Sequence, residues 1–225
     1  MEFHHLLGNS TTITPFRSSP REFPQNITHF SLYEIERFLQ MDKQGNFWIY
    51  KNKDGIEKYL QATGTETKDG KEAFVVTENY EKTYWYKGEG FLKYYKNLEL
   101  NFNGELVTLE ARWQNYIEIP FIKRNSWCDE WQDTLMLFNE PLYINDKLNG
   151  TVENIETVTT EAGTFNNCYR ITFHIIEEIN SAIIGDSIID KSYSEWYAPN
   201  IGLVKSTLDG DNWQLTKYGN DGAGE

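Results

Sequence analysis

The side chains of this chain that could do chemistry are few in kind and scattered in position. Histidine occurs at His4, His5, His29 and His174. No pair of them has the His-x-x-x-His or His-Glu-x-x-His spacing of a zinc site, so neither a metal nor a cofactor is expected. His174 shares a strand face with Arg170 and Thr172, which fits a solvated or hydrogen-bonded residue rather than a general base. A Cys–His nucleophile made from Cys168 and His174 fails on distance, because six residues of strand separate them by about 20 Å. Cys128 with His174 stays open. Cys128 and Cys168 are the only cysteines, and their spacing leaves three states: one disulfide, two free thiols or two buried small hydrophobes. A bridge, expected only in an oxidising compartment, would close a loop of about 40 residues and contribute roughly 3–4 kcal/mol.

The 34 Asp and Glu residues make carboxylate neighbours such as Glu153 and Glu156, or Glu177 and Glu178, commonplace, and these read as surface charge rather than an acid/base pair. Asp209-Gly210-Asp211-Asn212 and residues 146–150 resemble pieces of calcium loops but lack the acidic ladder and terminal Glu. Gly88-Glu89-Gly90 has no Gly-Lys-Ser/Thr after it and reads as a hairpin, not a phosphate loop. No catalytic grouping emerges, and an enzyme is the less favoured expectation.

The net charge of −13 argues against nucleic acid and against an anionic membrane surface as partners, since both select clustered Lys and Arg. No apolar run approaches the roughly 18 residues of a membrane helix, so no integral span is expected. Residues 1–10 contain neither a basic n-region with an apolar h-region nor a lipid-bearing Cys, which points to a cytosolic protein or to a chain that begins after a removed leader. Sequons at Asn9, Asn26 and Asn149 occur about as often as chance would give.

The elements that must position these groups are strands. Seven Trp, 14 Tyr and 13 Phe suit pleated, half-buried surfaces. Residues 1–28, rich in Ser, Thr and Pro, read as a poorly ordered arm, and residues 220–225 as a disordered tail. Between them, residues 29–219 read as one β-rich domain. Ser31-Leu32-Tyr33-Glu34 fits a capping box, and Leu32, Ile35, Phe38 and Leu39 follow at helical spacing, so a short helix is expected over residues 31–39, packed on the sheet. From Asn46 onward, short aromatic and β-branched runs are divided by Asp54-Gly55, Asp69-Gly70, Asn103-Gly104 and Asp209-Gly210, the turn dipeptides of a meander. The clearest strand runs from Val107 to Gln114. Val107, Leu109, Ala111 and Trp113 form its apolar, buried face, and Thr108, Glu110, Arg112 and Gln114 its wet face. Residues 121–140, between Pro120 and Pro141, read as an irregular crossover or cap within one sheet. The expected fold is mainly β: a single strongly curved antiparallel sheet, half-barrel-like, with a short N-terminal helix.

Two blocks in the C-terminal third carry a resemblance. Thr157-Val158-Thr159-Thr160-Glu161-Ala162-Gly163-Thr164-Phe165 leads into Cys168-Tyr169-Arg170-Ile171, and Glu195-Trp196-Tyr197-Ala198-Pro199-Asn200-Ile201-Gly202-Leu203-Val204-Lys205 follows. Together they resemble the TapB-type family and its relatives among bacterial envelope proteins, mainly over residues 150–218. The resemblance implies a curved sheet like the half-barrels of lipoprotein carriers and residence in the bacterial envelope or outside the cell. It implies no reaction. From the residues alone, a cytosolic address stays open.

Three functions compete on these grounds. The leading one is a noncatalytic envelope or secreted domain whose curved sheet takes an apolar small molecule or a protein partner, with Trp113 and Trp196 as the binding residues. A carbohydrate-binding module would instead show exposed coplanar tryptophans. A hydrolase would show two carboxylates in one cleft, roughly 5–9.5 Å apart.

Overall fold

The computed structural model describes residues 38–102 and 104–221. Twelve strands fill them: β1 (Asn46–Lys51), β2 (Glu57–Lys68), β3 (Lys71–Glu78), β4 (Glu81–Gly88), β5 (Phe91–Phe102), β6 (Glu105–Glu118), β7 (Ser126–Leu137), β8 (Glu140–Thr160), β9 (Gly163–Ser181), β10 (Ser187–Ala198), β11 (Gly202–Ser206) and β12 (Trp213–Asn220). They form one antiparallel sheet in the order β6-β5-β4-β3-β2-β1-β12-β11-β10-β9-β8-β7. The chain therefore enters mid-sheet at β1 and meanders outward to β6. It then crosses to the opposite edge at β7 and meanders back until β12 pairs with β1.

Each of the four turn dipeptides falls between consecutive strands. At Asp69-Gly70 both residues sit at positive φ, 46° and 71°, the twist that a two-residue hairpin requires.

Curvature carries the sheet past a half-barrel to near closure. The edge strands β6 and β7 have no backbone ladder between them, yet side chains bridge the seam. The Trp127 indole donates to the Tyr116 carbonyl at 3.0 Å, and the Asn115 backbone N–H donates to Asp129 Oδ2 at 2.9 Å. Gly150 makes room for the first of these bonds, because a Cβ there would stand 2.2 Å from the Trp127 ring.

The buried side chains gather in clusters. Phe38, Leu39, Phe121, Phe173 and Tyr197 belong to one; Leu109, Leu137, Leu142 and Ile144 form another.

Of the helix expected over residues 31–39, only Phe38 and Leu39 are described: Phe38 is helical, Leu39 is not, and the rest of the span lies outside the described residues. The other helical elements of the described chain are the 3-10 turns Gln40–Asp42 and Leu208–Gly210. Phe38 and Leu39 pack inside the sheet, 3% and 1% exposed. One expectation needs correction, that for residues 121–140. Most of them form β7, an edge strand paired with β8 from Ser126 to Leu137; the irregular crossover is confined to residues 119–125. The arm over residues 1–28 lies outside the described residues, as do residues 222–225 of the tail expected over 220–225; Asn220 belongs to β12.

Candidate functional site

A cavity of about 280 Å³ lies inside the barrel beside the Phe38–Met41 segment. Its wall is assembled from distant strands. β1 supplies Trp48 and Tyr50, β4 and β5 supply Trp85 and Tyr94, and Leu203 and Trp213 come from β11 and β12. Strand alternation brings them together: Trp48 opposes Leu60 across β1 and β2, Trp85 opposes Tyr94 across β4 and β5, and all four side chains turn inward. Lys58 and Glu78, paired at 3.3 Å and each partly exposed, stand at the solvent side.

One carboxylate shares this apolar wall. Glu195 is only 5% exposed. On β10 it alternates with Tyr193 and Tyr197, all three facing the interior, while Trp196 faces out. The Tyr197 hydroxyl donates to Glu195 Oε2. Burial pushes the Glu195 carboxyl up to about 7, against the opposing pull of hydrogen bonding from Tyr197 and Tyr116. Burial and the nearby Glu195 charge also raise the phenols of Tyr50, Tyr116 and Tyr197 well above their ordinary value. The donors around the cavity are largely committed to protein acceptors. The Trp48 indole bonds the Ile201 carbonyl at 2.7 Å, the Tyr50 hydroxyl the Leu203 carbonyl at 2.9 Å, and the Trp85 indole Thr83 Oγ1 at 3.0 Å.

A second polar group lies at the seam. Arg112 on β6 bonds Glu110, Asp129 and Asp146 at 2.7, 2.5 and 2.8 Å, while Lys96 reaches Asp146 and Glu177 at 2.9 and 2.6 Å. Glu110, Arg112 and Gln114 thus point inward, contrary to the wet face expected for them. The cause is a β-bulge. The register with β5 slips between Leu98 and Glu99, so Leu109 and Glu110 are both buried and the alternation reverses phase from there. Among the described residues, no group of three His, Cys, Asp or Glu side chains is arranged to hold a metal ion.

Neither Trp113 nor Trp196 lines the cavity. Trp113 lies on the outer face against Tyr86 and Tyr95, its ring inclined to theirs by 59° and 74°, with its buried indole N–H lacking an acceptor. Rings crossed in this way do not make a flat platform for a sugar face. Trp196 is buried in a cluster that holds Val158 and Cys168 as well as Trp48, Tyr50 and Trp213 of the cavity wall, but it does not reach the cavity; its indole donates to Glu156, and the Lys205 ammonium sits 4.6 Å from its centroid. In the Glu195-Trp196-Tyr197 block the cavity takes Glu195 and Tyr197, not the tryptophan between them. Its alternation held the signal, since the two residues flanking Trp196 must face the opposite way.

The cysteines are both free thiols. Cys128 is exposed on β7, opposite Asn149, and Cys168 is buried on β9, opposite Glu156, with its thiol donating to the Phe165 carbonyl at 3.3 Å. Strand β8 runs between them. Burial pushes the Cys168 thiol up to about 11. A thiol reagent at neutral pH should therefore modify one cysteine, Cys128, in the native protein, and the second only after denaturant is added. Equal native rates, or no thiol released on unfolding, would contradict this. His174 faces solvent and meets Asp190 at 2.7 Å.

Residues 136–218 match a family model described as DUF3108-like. The span runs from the end of β7 into β12, less than half of the chain, and the blocks that resemble the TapB-type family fall inside it. No curated protein matches. Among solved structures, the chain is similar to a candidate lipoprotein from Parabacteroides distasonis, at 16% identity and a TM-score of 0.44, over 81% of this chain and 99% of that one. It is also similar to the hypothetical lipoprotein YmcC from Escherichia coli, at 10% identity and a TM-score of 0.33, over 87% and 97%. Among the described residues, no helix is long and apolar enough to cross a membrane.

Proposed function

We infer that this protein is a noncatalytic binding domain that takes a small, largely apolar ligand into the barrel. The observation that carries this reading is the 280 Å³ cavity walled by Trp48, Tyr50, Leu60, Trp85 and Trp213. Well-packed interiors leave few voids larger than a water molecule. A void of roughly 150 Å³ already admits a benzene-sized guest, and ligand pockets start at about 300 Å³. Large aromatics facing an unfilled space lose dispersion contacts that a guest would restore. An envelope address accords with the resemblance carried by the C-terminal blocks and belongs to the same reading.

Three cavity tryptophans make the test optical. Apolar guests should shift the intrinsic fluorescence saturably. Leu60→Trp should abolish that shift by filling the space, at a stability cost of no more than about 1–3 kcal/mol. Trp113→Phe and Trp196→Phe, both outside the cavity, should leave ligand affinity unchanged. If Leu60→Trp folds and still binds with wild-type affinity, the ligand is not in this cavity.

A further inference from the structure

We propose that the guest is a cationic amphiphile, an alkyl- or arylammonium whose charged nitrogen rests against Glu195 inside the aromatic wall. This rests on the reading above and narrows it to a ligand class. The argument is one of charge and of donor supply. Lys58 and Glu78 neutralise each other at the solvent side, so Glu195 is the unbalanced charge that the lining presents. A fatty acid would set its carboxylate beside this one, and four of the lining donors, the indoles of Trp48 and Trp85 and the hydroxyls of Tyr50 and Tyr197, are already committed to protein acceptors, which leaves the Trp213 indole and the Tyr94 hydroxyl against that repulsion. An ionised carboxylate has about four lone-pair sites, and beyond the Tyr197 and Tyr116 hydroxyls the remaining capacity suits a donor or a cation. The surrounding rings add to the same preference. Trp48, Tyr50, Trp85, Tyr94 and Trp213 all line the space, and aromatic faces attract an ammonium most strongly when it is desolvated.

The pairing also sets a pH response. Glu195 is faced by Tyr193 and Tyr197 of its own strand, by Tyr116 from β6 and by Tyr50 from β1, with Lys58 and Glu78 farther out. An ammonium selects the ionised carboxylate. Affinity should therefore rise from pH 6 to pH 8, a range over which an alkylamine stays charged.

Octylamine, octyltrimethylammonium, octanol and octanoate, titrated calorimetrically into the full chain, separate the alternatives. The two ammonium probes should bind roughly tenfold or more tighter than octanol at pH 8, and octanoate most weakly. Glu195→Gln should remove the preference for the ammonium probes over octanol and its pH dependence; a melting curve establishes that the variant is folded. Octanoate or octanol binding as tightly as the ammonium probes, or a folded Glu195→Gln that keeps the preference, would overturn this inference and leave the cavity a binding site. If none of the four probes binds, the reading of the cavity as a ligand site falls with it.

Discussion

Between pH 5 and pH 8 the wild-type protein should lose about 2–3 kcal/mol of stability that Glu195→Gln retains. The Glu195 carboxyl titrates near 7 in the folded chain, against an ordinary value of 4.5. The cause is burial: at 5% exposure the charged form gives up water, and two tyrosine hydroxyls replace only part of that solvation. The direction follows from proton counting. Between the unfolded and folded pKa values the native state keeps a proton that the unfolded state has released, so raising the pH favours unfolding. The penalty is absent well below 4.5, grows from there to about 7, and is constant at roughly 3 kcal/mol above it. Burial raises Glu110 as well, with the same sign, so the wild-type profile alone does not isolate Glu195. The difference between wild type and Glu195→Gln does. Urea unfolding of both proteins at several pH values measures it, and a gap that stays constant from pH 5 to pH 8 would show that the folded carboxyl is not perturbed. A cavity that holds a neutral acid at low pH and a carboxylate at high pH sacrifices stability for a charge in its wall. A site whose sole task was packing would be better served by Gln or Leu.

Much of the fold was legible because it depends on local chemistry. Asp54-Gly55, Asp69-Gly70 and Asn103-Gly104 can only be turns where strands alternate around them, and an antiparallel meander follows from their spacing. Near closure of the sheet, by contrast, depends on side chains that meet across the seam between β6 and β7. Two errors share that origin. Arg112 and Gln114 look solvent-facing because period-two reasoning assumes one residue opposite one residue, and the bulge at Leu109 is invisible until β5 is laid beside β6. β7 looks irregular because its inward face carries Asp129, a charge that breaks the apolar pattern and makes sense only beside Arg112. The cavity is further from view still, since it joins β1, β4 and β10, which are remote in sequence. Trp196 lies on a strand that lines the cavity, but on its other face.

Arg112→Leu should destabilise the protein by about 3–5 kcal/mol, the range for removing one partner of a buried ionic group. Surface pairs contribute about 0–1 kcal/mol, so the outcome turns on burial. The side chains of Glu110 and Asp146 are 0% and 1% exposed and that of Arg112 is 16%. Without the guanidinium, Glu110, Asp129 and Asp146 would face one another with Lys96 as the remaining nearby cation, bonded to Asp146 and Glu177 and 3.3 Å from Glu110. The loss is also architectural. Arg112 ties β6 to Asp129 on β7 and Asp146 on β8, across an edge where no backbone ladder holds the strands together. Arg112→Lys should recover little, since a single ammonium cannot replace three N–H bonds that diverge from a planar fork. Arg112→Met combined with Asp129→Asn and Asp146→Asn should recover most of the stability, because it removes the unpaired charge together with its partner. Urea unfolding ranks the three variants, and hydrogen exchange along β6 and β7 reports the seam directly. A loss of less than about 1 kcal/mol in Arg112→Leu would place the cluster in effective contact with water. The seam would then be held by the Trp127–Tyr116 and Asn115–Asp129 bonds.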